Sequence, residues 1–141
     1  MSEESTRAGL LVRTVAKILD FIIIAAAAEI VPKAGFYAGL AYLLIGDGLF
    51  GGKSLGKRLV GLRVVSAVSQ KPCTIRDSII RNSIFGVGYL FSQILWFGWV
   101  FVLLVSVFEF VVLIGNKDRM RLGDEMAKTL VLDISRTEEE E

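Results

Sequence analysis

The residues of this chain best suited to chemistry are three charged side chains inside its first long apolar stretch. Arg13, Lys17 and Asp20 are spaced four and three residues apart, so they share one face of a helix. A charge at the centre of an apolar span costs at least about 2.5 to 3.5 kcal/mol, so it usually faces a partner, a bundle interior or water. Either Asp20, supported by Arg13, handles a proton or monovalent cation, or the two form a structural ion pair.

A second carboxylate, Glu109, lies in a later apolar stretch. It is the only acidic or basic residue between positions 82 and 116. Two carboxylates at similar depth can share a proton or bind a cation, because like charges oppose each other's ionisation, and Asp20 is the natural companion. The alternative is a protonated Glu109 that is hydrogen-bonded to Ser106 or Gln93.

The central connector, from Gly51 to Ser83, is strongly basic. It holds seven lysines and arginines against the single acid Asp77. By the positive-inside rule it faces the cytoplasm. Asp47, just before it, is expected to pair with the cluster from Lys53 to Arg58. The residues expected to set topology and to contact anionic lipid headgroups are Lys53, Lys57, Arg58 and Arg63.

Two helices are expected to carry the first group of charges. The stretch from about Ala8 to Val31 is long enough to cross a hydrocarbon core of about 30 Å, and Pro32 ends it. A short turn leads to a second span from about Phe36 to Phe50. Its glycines and alanines offer a surface for close helix contacts, including contacts between two copies in a homodimer.

The later apolar stretch, Ile84 to Ile114, would be about 46 Å long as one helix. This is too long for one ordinary span. We expect one helix that begins at a capping pair of Thr74 and Asp77, a turn at residues 96–99, and a second helix that ends at Gly115. With the first two spans this makes four, and both ends of the chain lie in the cytoplasm. Three spans with an external C terminus are the alternative.

Two β-prone stretches flank this pair of helices. Gly61 to Val68 is rich in β-branched residues, and a turn at Ser69 to Pro72 with a short strand at Cys73 to Ile75 would complete a hairpin. Thr129 to Ile134 is expected to pair with the first strand, since a two-stranded hairpin alone is only marginally stable. Such pairing requires both stretches on one side of the membrane.

Composition limits the class of protein. Apolar residues make up 53% of the chain, histidine is missing and Cys73 is the only cysteine. We therefore expect an all-α membrane protein with about four transmembrane helices and a small cytoplasmic β-sheet. Residues 1–134 form one domain, and 135–141 form an acidic, disordered tail. We expect no enzyme activity, no metal site, no cofactor and no nucleic-acid partner.

Four short motifs are distributed along the chain. They are Arg13-x-x-Ala16-x-x-Leu19-Asp20, Gly52-Lys53-Ser54-Leu55-Gly56-Lys57-Arg58 with Gly61-Leu62-Arg63-Val64-Val65, Arg81-Asn82, and Leu122-Gly123-Asp124 to Ala127-x-Thr129. Together they resemble the RDD family of bacterial and archaeal membrane proteins, named for one arginine and two aspartates. Lys17, where an apolar residue is usual, and Gly123, where many relatives have histidine, depart from that pattern.

The resemblance implies a multi-pass protein of the inner (cytoplasmic) membrane. It implies Arg13 and Asp20 as the first two named residues and Asp124 as the second aspartate, with Asp47 as the alternative. It also implies transport, with sodium–proton exchange reported for some relatives. We predict a homodimeric transporter of a proton, sodium or a small solute that uses intramembrane carboxylates. The alternative is a non-transporting interaction or lipid-binding protein.

Overall fold

The computed structural model describes residues 7–94, 98–118 and 120–134, so the acidic tail expected at 135–141 lies outside it. Six helices and two strands follow one another in this part of the chain. They are α1 (Leu10–Ile30), α2 (Pro32–Leu49), α3 (Leu55–Leu59), β1 (Leu62–Ser66), α4 (Ile75–Ile94), α5 (Gly98–Gly115), α6 (Leu122–Ala127) and β2 (Thr129–Asp133).

The break between α1 and α2 is shorter than predicted. Val31 alone separates the two helices, and Pro32 is the first residue of α2. Proline suits the first turn of a helix, where its missing N–H is not needed. The short turn expected between Pro32 and Phe36 is therefore wrong, because Pro32 begins the second helix.

Two glycines of α2, from the set of small residues expected to contact a second copy, are used inside the chain. α2 packs against both α1 and α4. A Cβ at Gly39 would lie 2.7 Å from Ile24 of α1, and one at Gly48 would lie 2.6 Å from the backbone of Ile75 in α4. These close approaches give the small side chains a role within one protomer.

The later apolar stretch forms two helices that pack against each other. Thr74 and Asp77 form the predicted capping pair, because the Thr74 backbone donates to Asp77 Oδ2 at 3.1 Å and the Asp77 backbone donates to Thr74 Oγ1 at 3.2 Å. The rings of Phe91 and Phe101 lie 5.3 Å apart across the α4–α5 contact. Gly98 already belongs to α5, and Trp96 and Phe97 of the predicted turn lie outside the described residues.

The predicted pairing of the two β-prone stretches is confirmed. β1 and β2 are antiparallel, with Leu62 opposite Asp133 and Ser66 opposite Thr129. Inward-facing Leu62, Val64 and Val131 pack with Ala8, Ala16 and Cys73 in a small core beneath the helices. The sheet therefore joins the two halves of the chain at one end of the bundle.

The predicted hairpin after β1 forms only in part. The chain turns back after Ser66, and Val65 makes an isolated bridge to Pro72. Cys73 to Ile75 does not continue as a strand, because Thr74 and Ile75 already belong to the start of α4. The capping hydrogen bonds of Thr74 and Asp77 thus determine the structure here.

Four of the helices are long, with 21 residues in α1, 18 in α2, 20 in α4 and 18 in α5. The expected mostly helical fold with a small sheet is confirmed. Over the part of the chain that the structure describes, no helix combines the length and the apolarity needed to cross a membrane.

The long helices expose many apolar side chains and bury several charged ones, although Glu29 of α1 and Lys33 of α2 are exposed. Asp47, Arg81 and Glu109 are each at most 2% exposed. Large apolar side chains lie exposed on the outward faces of the helices, among them Leu11, Ile18 and Ile22 of α1 and Leu103, Leu104, Val107 and Val111 of α5. Full burial of charged side chains is rare in folded proteins unless they are paired.

Candidate functional site

A buried arginine, Arg81 of α4, joins two aspartates from distant parts of the chain. Its Nη2 lies 2.7 Å from Asp124 Oδ1 in α6, and its Nε lies 3.4 Å from Asp47 Oδ2 in α2. Asp124 also pairs with Arg13 of α1, and Asp47 with Lys57 of α3. These five residues, Arg13, Asp47, Lys57, Arg81 and Asp124, are called the ion network below. They link α1, α2, α3, α4 and α6.

The Asp124 carboxylate, in the first turn of α6, forms ion pairs with three arginines. Arg121 Nη2 lies 3.4 Å from Asp124 Oδ1, in addition to the contacts from Arg13 and Arg81. Burial alone would raise the pKa of the Asp124 carboxyl, but Arg81, Arg121 and Arg13 together hold it well below its usual range. Asp124 is therefore an ionised, structural centre of the network.

Gly123 allows α6 to reach α4. A Cβ at this position would lie 1.9 Å from the carbonyl oxygen of Arg81, a distance that no side chain tolerates. The resemblance places histidine here in many relatives. In this chain the glycine permits a backbone contact between the two helices that a histidine would prevent.

Asp20 occupies a separate, fully hydrogen-bonded position. Its Oδ2 accepts from the Ser54 hydroxyl at 2.6 Å, and its Oδ1 accepts from the Gly56 amide at 2.9 Å and the Tyr42 hydroxyl at 2.7 Å. Tyr42 in turn accepts from the Leu55 amide at 2.8 Å. Asp20 thus anchors the first turn of α3, where unpaired amides attract a negative charge.

The structure corrects the predicted pairing of Arg13 with Asp20. Arg13 pairs with Asp124, which is 111 positions later, while Asp20 is held by neutral donors. Residues seven positions apart in a helix are separated by about 10 Å along its axis, whereas the sheet and α6 bring Asp124 directly beside Arg13. Spacing within α1 fixed a common face but not the partner.

The basic residues of the central connector divide into two groups. Asp47 pairs with Lys57, as predicted from the Lys53–Arg58 cluster, and also accepts from Asn82 Nδ2 at 3.2 Å. Lys57 is buried, so its expected role as a lipid-contacting residue is wrong. Burial lowers the pKa of its ammonium, although Asp47 opposes that change. Arg58 is exposed, and Lys53 and Arg63 are half-buried.

A cavity of about 340 Å³ lies between α1 and α5, with α4 behind it, and is called the large cavity below. Its apolar wall includes Ile18, Phe21, Phe85, Val107, Phe110 and Leu113. Five cationic side chains border it: Arg13, Lys17, Lys57, Arg81 and Arg121. One carboxylate, Glu109, faces them. The large cavity is therefore apolar along its wall and positively charged at one end.

Glu109 is buried at the wall of the large cavity. Neither of its carboxylate oxygens completes a hydrogen bond with any residue the structure describes. The Gly123 amide lies near it outside hydrogen-bonding geometry, and Arg121, Asp124 and Lys17 are the charged groups that act on it. The alternative partner Ser106 donates to the Val102 carbonyl at 2.8 Å, and the side chain of Gln93 lies outside the described residues.

Asp20 and Glu109 do not share one site. Asp20 borders a separate cavity of about 10 Å³, too small for more than one water molecule, together with Tyr42 and Ser54. Lys17 borders both cavities, and its Nζ lies 3.4 Å from Asn82 Oδ1 and 4.6 Å from the centre of the Phe85 ring. The predicted site with two carboxylates, Asp20 and Glu109, therefore does not form. Glu109 and Lys17 border the large cavity instead.

Two residues of the site, Arg81 and Arg121, had no predicted role. Lys17 was predicted to share a helix face with Arg13 and Asp20, but not to border a cavity with Glu109. An arginine followed by asparagine at the start of an apolar helix was the available signal for Arg81. No local signal distinguishes Arg121 from the neighbouring basic residues.

A family model described as RDD family matches residues 33–128. The matched range contains Asp47, Lys57, Arg81, Glu109 and Asp124, while Arg13 and Asp20 precede it. No curated protein and no solved structure matches the chain.

Proposed function

Because this chain belongs to the RDD family, we propose that it is a small multi-pass protein of the inner (cytoplasmic) membrane that couples proton movement through Glu109 to transport of a small solute. The four long helices, α1, α2, α4 and α5, would be embedded in the bilayer. The sheet, α3 and α6 would lie at its cytoplasmic side.

The distribution of side chains supports the membrane location. Apolar residues of α1 and α5 are exposed where lipid chains would cover them, whereas Arg13, Asp47 and Arg81 are buried with ionic partners. Intramembrane charges in proteins face the interior and pair in this way. The exposed Arg58 in the connector supports a cytoplasmic location for that end.

The observation that carries the transport proposal is the position of Glu109 beside the large cavity. An ionised carboxylate buried without hydrogen-bond donors is costly, and uptake of a proton removes that cost. A carboxylate in this position can load a proton from the cavity and release it again. Asp20 suits this role less well, because three hydrogen-bond donors already occupy its carboxylate oxygens.

The charge of the large cavity favours a proton over a sodium ion as the coupling ion. Five cationic side chains border it against one carboxylate. Two like unit charges 4 Å apart repel by about 4 kcal/mol at an effective dielectric constant of 20. A sodium ion would meet this repulsion beside Lys17, whereas a proton bound to Glu109 leaves a neutral side chain.

Proton flux into liposomes tests the proposal. The purified chain is reconstituted with a pH-sensitive dye inside, and a potential is imposed across the membrane in the presence and absence of candidate solutes. The variant is Glu109→Gln, and the matched control is Glu29→Gln, which changes an exposed carboxylate on α1. Loss of an acid–base group should lower the flux by at least about tenfold, with the control unchanged.

Two outcomes would overturn the proposal. Wild-type liposomes that take up protons no faster than empty ones would favour the non-transporting alternative, a membrane interaction or lipid-binding protein. A folded Glu109→Gln protein with wild-type flux would show that Glu109 is not the proton carrier.

A further inference from the structure

The charge balance of the large cavity points to the kind of solute it takes. Four of its bordering cations, Arg13, Lys57, Arg81 and Arg121, have aspartate partners at Asp47 or Asp124. The fifth, Lys17, forms no ion pair within 4 Å among the residues described, and Asp20 and Asp47 act on it only from across the small cavity. The cavity thus carries a positive charge that the protein itself leaves unneutralised.

The groups in direct contact with the Lys17 ammonium on the side of the large cavity are uncharged. Asn82 Oδ1 accepts one hydrogen bond at 3.4 Å, and the rings of Phe21 and Phe85 lie 5.5 and 4.6 Å from Nζ. An amide oxygen and two aromatic faces stabilise a cation only weakly. Since an ammonium has three donors, Lys17 retains donors for an anion in the cavity.

Buried guanidinium groups at the same end also have unused donors. Arg81 is 1% exposed, and its Nη1 completes no hydrogen bond in the described part of the chain; the same holds for Arg121 Nε. Buried N–H groups without acceptors are uncommon and costly in native proteins. Lys17, Arg81 and Arg121 all border the same end of the cavity, so an anionic group bound there would lie near several positive charges.

The rest of the cavity fits a hydrocarbon chain. Its wall is formed by Ile18 and Phe21 of α1, Phe85 of α4, and Val107, Phe110 and Leu113 of α5. The volume of about 340 Å³ is at the lower end of the range of about 300 to 1,000 Å³ found for ligand pockets. A short chain fits such a space better than a complete two-chain lipid.

We propose that the large cavity binds a monoanionic amphiphile, with its acidic head at Lys17 at the end bordered by Arg81 and Arg121 and its short apolar chain along the aromatic wall. The proposal rests on the proposed function in that this amphiphile would be the solute moved with the proton of Glu109. A free monocarboxylate and the headgroup and part of one chain of an anionic lipid share this chemistry.

Binding of decanoate to the protein in nanodiscs of zwitterionic phosphatidylcholine tests the proposal. Calorimetric titrations are corrected with empty nanodiscs, and decanol and decylammonium serve as neutral and cationic probes of equal chain length. Lys17→Gln and Lys17→Arg are compared with the exposed control Lys71→Gln. Thermal unfolding of each variant establishes that it is folded.

We expect saturable binding of one decanoate per protomer and no comparable binding of the neutral or cationic probe. Loss of one hydrogen bond to a charged group should weaken binding at least about tenfold in Lys17→Gln. Lys17→Arg and Lys71→Gln should bind as the wild type does. Added phosphatidylglycerol that competes with decanoate would identify membrane lipid as the source of the ligand, and lack of competition would identify a free carboxylate.

The two proposals fail in different ways. Glu109→Gln imitates the protonated side chain, so it should bind decanoate at least as well as the wild type even when its proton flux is lost. Binding without any proton flux would overturn the transport function alone. Decanol binding equal to that of decanoate, or unchanged binding by a folded Lys17→Gln, would overturn the amphiphile proposal.

Discussion

Arg13 of α1 is paired with Asp124 of α6, 111 positions later in the chain. Both side chains are buried, and Asp124 also forms ion pairs with Arg81 and Arg121. The first helix is thereby joined to the C-terminal part of the chain through one carboxylate. This contact, together with the hydrogen bonds of Asp20 to α3, attaches one face of α1 to two different elements.

Double-mutant cycles should detect this pairing. Asp124→Asn should lower the free energy of unfolding by about 3 to 5 kcal/mol, because it removes the carboxylate shared by three arginines. Arg13→Gln should cost less, because Arg81 and Arg121 still pair with Asp124. Neutralising both should give a coupling energy of about 1 to 3 kcal/mol, whereas Arg13→Gln with Asp20→Asn should be additive within about 0.5 kcal/mol. Unfolding by added sodium dodecyl sulfate measures all three. A larger coupling of Arg13 to Asp20 than to Asp124 would contradict the structure.

Asp20 should prove structural. Asp20→Ala removes the acceptor of Ser54, Gly56 and Tyr42, and hydrogen bonds to a charged group contribute about 1.5 to 3 kcal/mol each, so stability should fall by at least about 3 kcal/mol. Asp20→Asn keeps one acceptor oxygen and should lose less. The folded Asp20→Asn protein should retain proton flux in liposomes. Loss of flux without loss of stability would return the transport role to Asp20.

Gly123→Ala should be strongly destabilising. Its Cβ would lie 1.9 Å from the Arg81 carbonyl, and overpacking of this kind costs about 1 to 3 kcal/mol. Gly115→Ala is the matched control, because nothing lies within 4 Å of a Cβ there. Thermal unfolding in detergent compares the two variants. Equal melting temperatures would mean that α6 does not approach α4 as closely as described.

Cys73 should react slowly until the protein unfolds. Burial raises the pKa of its thiol to about 11 from the ordinary 9.0, so less of the reactive thiolate is present at any pH below that value. At pH 8 the thiolate fraction falls about 100-fold, and the labelling rate by iodoacetamide should fall at least as much. The rate should rise with pH towards 11 and should rise sharply on unfolding. Fast labelling of the folded protein at pH 8 would contradict the buried position.

Labelling of single cysteines in a Cys73→Ser background should locate the two ends of the bundle. Exposed Lys71 and Lys117 lie at the end that carries the sheet, while exposed Lys33 lies at the opposite end. A membrane-impermeant maleimide should label Lys33→Cys in intact cells, and Lys71→Cys and Lys117→Cys only after permeabilisation. Labelling of Lys117→Cys from outside would favour the three-span alternative.

The elements with strong local signals could be predicted from the sequence. The capping pair of Thr74 and Asp77, the separate helices α4 and α5, and the pairing of β1 with β2 follow from residues close in sequence or from the requirement that a short strand find a neighbour. The start of α2 was missed because proline both ends one helix and begins the next. The partial hairpin was missed because the capping of α4 determined the structure of the returning segment.

The sequence by itself determined which residues are charged within apolar helices and which of them share a face. Only the tertiary structure decided that Arg13 pairs with Asp124, that Lys57 is buried against Asp47, and that Glu109 and Lys17 border one cavity. The physical reason is that helical periodicity fixes the direction of a side chain, whereas the strength of an ionic contact depends on distance in space. That distance depends on how helices far apart in the chain pack together.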